Sequence, residues 1–173
     1  MDSRTRVSNL VSTTQGQRVL DYIDIGKTEG AKLIAGGARV KVQDCEHGYF
    51  IEPTLFEATN RMRVAQEEIF GPVMSLIRWS DYETMIGEAN DVRYGLASGI
   101  YTSNLANAMR TADRLEAGNV WINHYFNLSS RSPFGGFKES GIGTEHCRET
   151  LNMYSHVKAI TVQDAVVKPW FAV

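Results

Sequence analysis

The stretch that decides the fold runs from Pro72 to Tyr125: PVMSLIRWSDYETMIGEANDVRYGLASGIYTSNLANAMRTADRLEAGNVWINHY. It opens with an apolar run, Val73 to Trp79, that starts directly after a proline. Such a run suggests a strand buried on both faces, as in a parallel sheet. Tyr82, Met85, Ile86 and Ala89 then recur at i, i+3, i+4 and i+7, the spacing of one helix face. Ser80 or Asp81 is the expected cap, and Gly95 lies past the end. LASGIYT reads as the next strand. SNLANAMRTADRLEAG reads as the next helix, with Leu105, Ala108, Met109, Ala112 and Leu115 on its apolar side. Ser103 can cap that helix and Gly118 can stop it. NVWINHY is a third strand. The order strand, helix, strand, helix, strand predicts an α/β unit with a mostly parallel sheet.

Upstream, QRVLDYIDIGKTEGAKLIAGG places Val19, Tyr22, Ile23 and Gly26 on one helix face. Thr13 or Thr14 is the expected cap, Gly30 the expected terminator. AKLIAGG reads as a short strand closed by two glycines. Residues 38–48 read as a loop or hairpin. YFIEPTLFEA has strand propensity, but Pro53 argues against a central strand. Downstream, residues 127–144 form a long loop rich in serine and glycine, and long loops inside compact domains often carry function. A short helix is expected near Glu145–Leu151. SHVKAITVQ alternates, and reads as a last strand at an edge. The expected division is a polar leader at 1–10, a body at 11–154, a C-terminal strand at 155–164 and a tail at 165–173.

Composition narrows the function classes. The 173 residues are 43% hydrophobic and 22% charged, with a formal net charge of −2. The length suits one domain with a sizeable core. The basic residues are scattered, so nothing favours nucleic acid as a partner. No apolar run is long enough for a membrane helix, and MDSRTRVSNL is no secretory signal. Two cysteines, Cys45 and Cys147, fit a reducing compartment, and the cytoplasm is the expected location. Two cysteines and four scattered histidines offer no metal-ligand spacing.

Several segments carry a resemblance to a known family. GKTEGAKLIAGG, GYFIEPTLF, EEIFGPVMSLIRW, YGLASGIYT, LEAGNVWIN and SPFGGFKESGIG occur here in order. Together they resemble the C-terminal part of the catalytic domain of the aldehyde dehydrogenase superfamily, from about Asn9 to Val162. The resemblance implies NAD- or NADP-dependent oxidation of a small aldehyde to a carboxylate. It also implies that the last strand joins an intersubunit sheet. In the intact family that chemistry needs a low-pKa cysteine nucleophile, oxyanion donors, a carboxylate that activates water and a dinucleotide site. Here NLVST, from Asn9, is similar to the segment that follows the family's cysteine, with asparagine where glycine is commoner. No G-x-G-x-x-G follows a strand. The expectation is therefore a partial catalytic domain, without the nucleotide domain or the nucleophile segment, that is inactive alone and has no catalytic residue of its own. Its expected partners are further copies of itself or a complementing N-terminal half. A non-enzymatic interaction protein is the alternative.

The resemblance also assigns individual residues. Glu68, the second glutamate of EEIFGP, would accept from the hydroxyls of the nicotinamide ribose, with Phe70 beside the nicotinamide. Glu67 receives no role. Leu128 and Phe134 match positions that line the substrate tunnel, and His124 and Tyr125 stand near its mouth. Read without the resemblance, Glu68 is a solvent-facing carboxylate, Leu128 and Phe134 are loop packing, and His124 is an ordinary loop histidine with no partner to make it a base. Cys147 has His146 and Arg148 as neighbours, but adjacent helix residues point different ways. Cys45, beside His47, is discounted likewise. The glycines of GFKESGIG permit tight turns, and no phosphate-loop pattern accompanies them. Thr144 stands where the family commonly has arginine.

Overall fold

The structure is a computed structural model that describes residues 7–164; residues 1–6 and the expected tail at 165–173 lie outside it. The first helix, α1 (Thr13–Thr28), is capped by Ser12, whose side chain accepts from the Gln15 amide at 3.1 Å. The cap thus sits one residue before the expected Thr13 or Thr14. The C-terminus closes as expected at Gly30, where φ is +88°. The Gly30 amide donates to Lys27 O and the Ala31 amide to Gly26 O, the paired bonds of a Schellman ending. Only a residue without Cβ takes that left-handed turn at little cost.

The chain then forms β1 (Lys32–Ala35) and a hairpin of β2 (Arg39–Val40) with β3 (Phe50–Ile51). Next come β4 (Thr54–Glu57), the single-turn α2 (Arg63–Gln66) and β5 (Val73–Leu76). These make a three-stranded sheet in the order β1-β4-β5, antiparallel at the first pair and parallel at the second. Two expectations are corrected here. Pro53 does not keep its segment from the centre, because it sits just before β4 and the ladder begins with the Thr54 amide donating to Pro72 O at 2.7 Å. Nor is β5 buried on both faces. Met74 and Leu76 are exposed, because side chains alternate along a strand and these two point away from the core that Val73 packs against.

The core lies between this sheet and α1. Val19, Ile23, Tyr49, Ile51, Phe56, Val64 and Ile69 are all buried in one cluster, with Phe56 fully enclosed. Apolar burial of this kind is the main favourable term in folding.

Beyond the sheet lies α3 (Tyr82–Asn90), capped by Asp81, which accepts from the Thr84 amide at 2.8 Å. The short β6 (Tyr94–Gly95) and β7 (Ala97–Ile100) follow, then α4 (Leu105–Arg114) and β8 (Asn119–Ile122). The cap of α4 is Asn104, not Ser103; its side chain accepts from the Asn107 amide at 3.0 Å. β7 and β8 pair in parallel. The long loop is stapled back by three short pieces, β9 (Phe134–Gly135), β10 (Phe137–Lys138) and β11 (Thr144–Glu145). β10 pairs with β6 and β11 with β9, both antiparallel. The short α5 (Arg148–Met153) starts three residues later than expected.

The architecture is α/β with mixed sheets, since antiparallel ladders accompany the two parallel pairs. Residues 155–164 form no ladder among the described residues. Strand geometry needs a hydrogen-bonding neighbour strand, and no ladder partner for that segment lies among the described residues. Val157, Ile160 and Val162 are exposed.

Candidate functional site

The EEIFGP segment is fixed by one stripe of α1. Gln15, Arg18 and Tyr22 are spaced i, i+3, i+7, which puts them on a single helix side. Gln15 Nε2 donates to the carbonyls of Ile69 and Phe70 at 2.9 and 2.8 Å. Arg18 Nη2 donates to Glu68 O at 2.7 Å. Tyr22 Oη donates to Glu67 Oε2 at 2.6 Å. Arg63 completes the arrangement with a two-pronged bond to the Glu67 carboxylate, Nε at 2.8 Å and Nη2 at 2.9 Å. Ile69 is buried in the core. Gly71 passes so close to α1 that a Cβ there would stand 2.3 Å from Val19 Cγ2.

The adjacent carboxylates therefore have different fates. Glu67 is turned inward and bound. The Arg63 guanidinium, then the Tyr22 hydroxyl, hold its carboxyl down to about 2. The same bond to Glu67, with burial, pushes the Tyr22 hydroxyl up. The Glu68 carboxylate has no hydrogen bond or ion pair among the described residues, although its own carbonyl is held by Arg18. It lines a cleft of about 380 Å³ together with Tyr94, Ser98, Glu116, Tyr125 and Ser140. The Ser98 hydroxyl is buried there without a hydrogen-bond partner among the described residues. Phe70 holds φ at +53° and the residue is 74% exposed. A bulky residue in the left-handed region is strained, and the Gln15 bonds on either side of this peptide hold it in place.

The second group surrounds Trp121 on β8. Tyr125 meets the indole edge-on, with centroids 5.1 Å apart. His124 lies at 6.4 Å and Phe126 at 6.5 Å. The chain reverses here through Asn123 and Phe126, both at positive φ. Trp121 Nε1 donates to Asn127 O at 3.2 Å, which folds the loop back over β8. Leu128 and Phe134 then flank a small void beside Trp121.

Of the residues singled out in the sequence, Glu68 and Tyr125 line one cleft, while Leu128 and Phe134 share the smaller void. Tyr125 bridges the two through its contact with Trp121. His124 is exposed beside the indole, and Phe70 lies in neither hollow. Sequence reasoning missed Gln15, Arg18, Tyr22 and Arg63. A polar stripe at helical spacing beside the apolar one was the available signal, but its target lies some 45 to 55 residues away in the chain.

Both cysteines are free thiols. Cys45 is exposed, and Cys147 packs at the start of α5 with Sγ 3.8 Å from Thr144 O. Among the described residues no group of three His, Cys, Asp or Glu side chains is placed to hold a metal ion. Among them, too, no helix is long and apolar enough to cross a membrane.

Comparison with known proteins gives one family. The family model described as "Aldehyde dehydrogenase family" matches residues 1–160. The betaine aldehyde dehydrogenase of Brucella anthropi is 44% identical over 164 residues, 94% of this chain and 34% of that protein. Among solved structures, HpcC of Thermus thermophilus superposes with a TM-score of 0.90 at 39% identity, covering 99% of this chain and 35% of HpcC. The indole-3-acetaldehyde dehydrogenase AldA of P. syringae, in complex with NAD+ and IAA, superposes with a TM-score of 0.84 at 45% identity, covering 89% of this chain and 31% of AldA. The chain thus spans about a third of the length of the relatives it matches.

Proposed function

The chain belongs to the aldehyde dehydrogenase family, and from that premise we propose that its 173 residues supply two walls of an NAD(P)-dependent aldehyde-oxidising site and not its nucleophile. The observation that carries this reading is the split between the paired glutamates. Glu67 is consumed in anchoring the segment, which leaves the Glu68 carboxylate unpaired on a rigid backbone. A carboxylate so placed can accept from two vicinal hydroxyls, and Phe70, two residues further on, offers an exposed flat apolar ring. Both features suit the ribose and ring of a nicotinamide nucleotide. Bound there, the nucleotide supplies the hydride acceptor. Leu128 and Phe134, with Tyr125 and His124 at the mouth, form the apolar side that receives the aldehyde and excludes water.

The remaining chemistry comes from elsewhere in this reading. A cysteine thiolate, a water-activating carboxylate and the rest of the dinucleotide site belong to polypeptide outside these 173 residues. That polypeptide is either a longer form of the chain or a separate complementing half. The exposed Cys45 and the cap-bound Cys147 are not the nucleophile. The two free thiols favour the cytoplasm as the location.

The test is a chimera in which this chain replaces the matching third of a full-length relative. It should form NADH from a simple aldehyde. Glu68→Gln in the chimera should lower kcat/KM by about 10- to 100-fold, the scale of losing a charge-assisted hydrogen bond. A chimera that is active but indifferent to Glu68→Gln would contradict the assignment.

A second, non-enzymatic reading rests on residues 155–164. Their exposed Val157, Ile160 and Val162 offer an apolar segment, outside any ladder among the described residues, to a strand of another copy. In that reading the chain is a homo-oligomer, and sedimentation that stays at monomer mass at high concentration would sink it.

A further inference from the structure

The aldehyde side of the proposed site has an unusual charge. From Ala117 to Phe137 the sequence contains no aspartate or glutamate, and Arg131 is the only side chain with a permanent charge. Arg131 lies midway between Leu128 and Phe134. The Ser132 amide donates to Ser129 O at 3.0 Å, and the Arg131 amide to Ser129 Oγ at 3.3 Å, so a tight turn presents Arg131 at its tip.

Its guanidinium is exposed and makes no hydrogen bond or ion pair among the described residues. Arg63, Arg78, Arg93, Arg110 and Arg114 each sit on a carboxylate of this chain. Glu145 stands opposite Phe134 in the β9–β11 ladder, and its carboxylate lies 4.0 Å from His146 Nε2. Arg131 is therefore a cation without a counter-ion among the described residues, on the turn that joins Leu128 to Phe134, where Trp121, Leu128 and Phe134 stand beside uncharged Asn119, Asn127, Ser129 and Ser132.

Resting on the aldehyde-site reading above, we propose that Arg131 is a specificity-determining residue, and that the aldehyde this chain receives carries a carboxylate remote from its carbonyl. The planar guanidinium matches a carboxylate with two parallel N–H bonds. Trp121, Leu128 and Phe134 cover the apolar middle of such a substrate. The same positive charge disfavours an aldehyde with a cationic end.

The test uses the full 173-residue chain and three small aldehydes that differ in charge: succinate semialdehyde, butanal and trimethylammonioacetaldehyde. Binding is read by NMR from the amide shifts of Leu128 and Phe134. The anion should bind about 3- to 10-fold tighter than butanal, the order of a charge-assisted pair at a partly exposed site, and the cation weakest. Arg131→Gln, on an exposed turn, should bring the anion to the affinity of butanal. Equal binding of anion and butanal, or preference for the cation, overturns the Arg131 proposal and leaves the aldehyde wall standing. If none of the three moves the Leu128 or Phe134 amide, the aldehyde wall fails and the proposal falls with it.

Discussion

Two regions of this molecule are built with similar motifs and reach different degrees of closure. The part from Leu10 to Val73 folds α1 onto β1-β4-β5, and the buried cluster around Phe56 lies wholly within it. The part from Tyr94 to Tyr154 has comparable helices and strands, yet Leu105, Met109, Tyr125, Phe126, Phe137, Leu151 and Tyr154 are exposed. Only Ala108 and Thr111 of α4 are buried. The first region encloses a core of its own, although Val11, Leu33, Ile34 and Phe70 stay exposed around it. The second presents apolar surface outward, as an element does when further protein completes it. The rigid first region carries Glu68, and the open second region carries the aromatic wall.

The comparison can be broken by matched substitutions. The largest effect is expected for Phe56→Ala, which empties the centre of the closed core and should cost about 3–5 kcal/mol; urea unfolding reads it. Tyr22→Phe removes the hydroxyl bond to Glu67 and should cost about 1 kcal/mol. Its sharper signature is faster amide exchange through residues 67–70, with the rest of α1 unchanged.

Acid gives a smaller effect with a definite sign. Glu67 titrates at about 2 in the fold against an ordinary 4.5, so the native state favours its charged form. Its contribution is complete above the ordinary value and is lost as pH falls toward about 2. The carboxylate is 35% exposed, so solvent screening limits the contribution to under about 1 kcal/mol. Other carboxylates, Glu57 and Glu83 among them, are also held low by arginines. The informative quantity is thus the difference in urea midpoint between the parent and Glu67→Gln, which should shrink across that window. A difference independent of pH would show that the pair does not stabilise the fold. The smallest effect is expected for Met109→Ala, within about 0.5 kcal/mol, because the side chain already faces solvent. A large loss there would erase the distinction between the two regions.

Local patterns made the helices legible. The i, i+3, i+4, i+7 spacing of Val19, Tyr22, Ile23 and Gly26 identified the inner face of α1, and Gly30 marked its end. What local pattern could not supply was neighbourhood. The apolar run from Val73 looked doubly buried because sequence does not say whether anything packs on each face of a strand. Pro53 counted against a central strand, but one residue further along it is a harmless entry. Caps fell on Ser12 and Asn104, one residue from expectation, since several adjacent side chains could accept the same amide. At the candidate site, Glu68 was legible only through family resemblance. Glu67 could not be understood until the fold brought Tyr22 and Arg63 to it. Residues 155–164 alternate as a strand should, yet a strand is a relation between two segments, and the described chain holds only one of them.

The most direct measurement is NADH or NADPH formation by the purified 173-residue chain, offered neutral and anionic aldehydes with each cofactor and run beside a full-length relative. The account predicts no turnover by the chain and normal turnover by the relative. Turnover by the chain, abolished by Cys45→Ala or Cys147→Ala, would show that a nucleophile lies within these residues and would contradict the account.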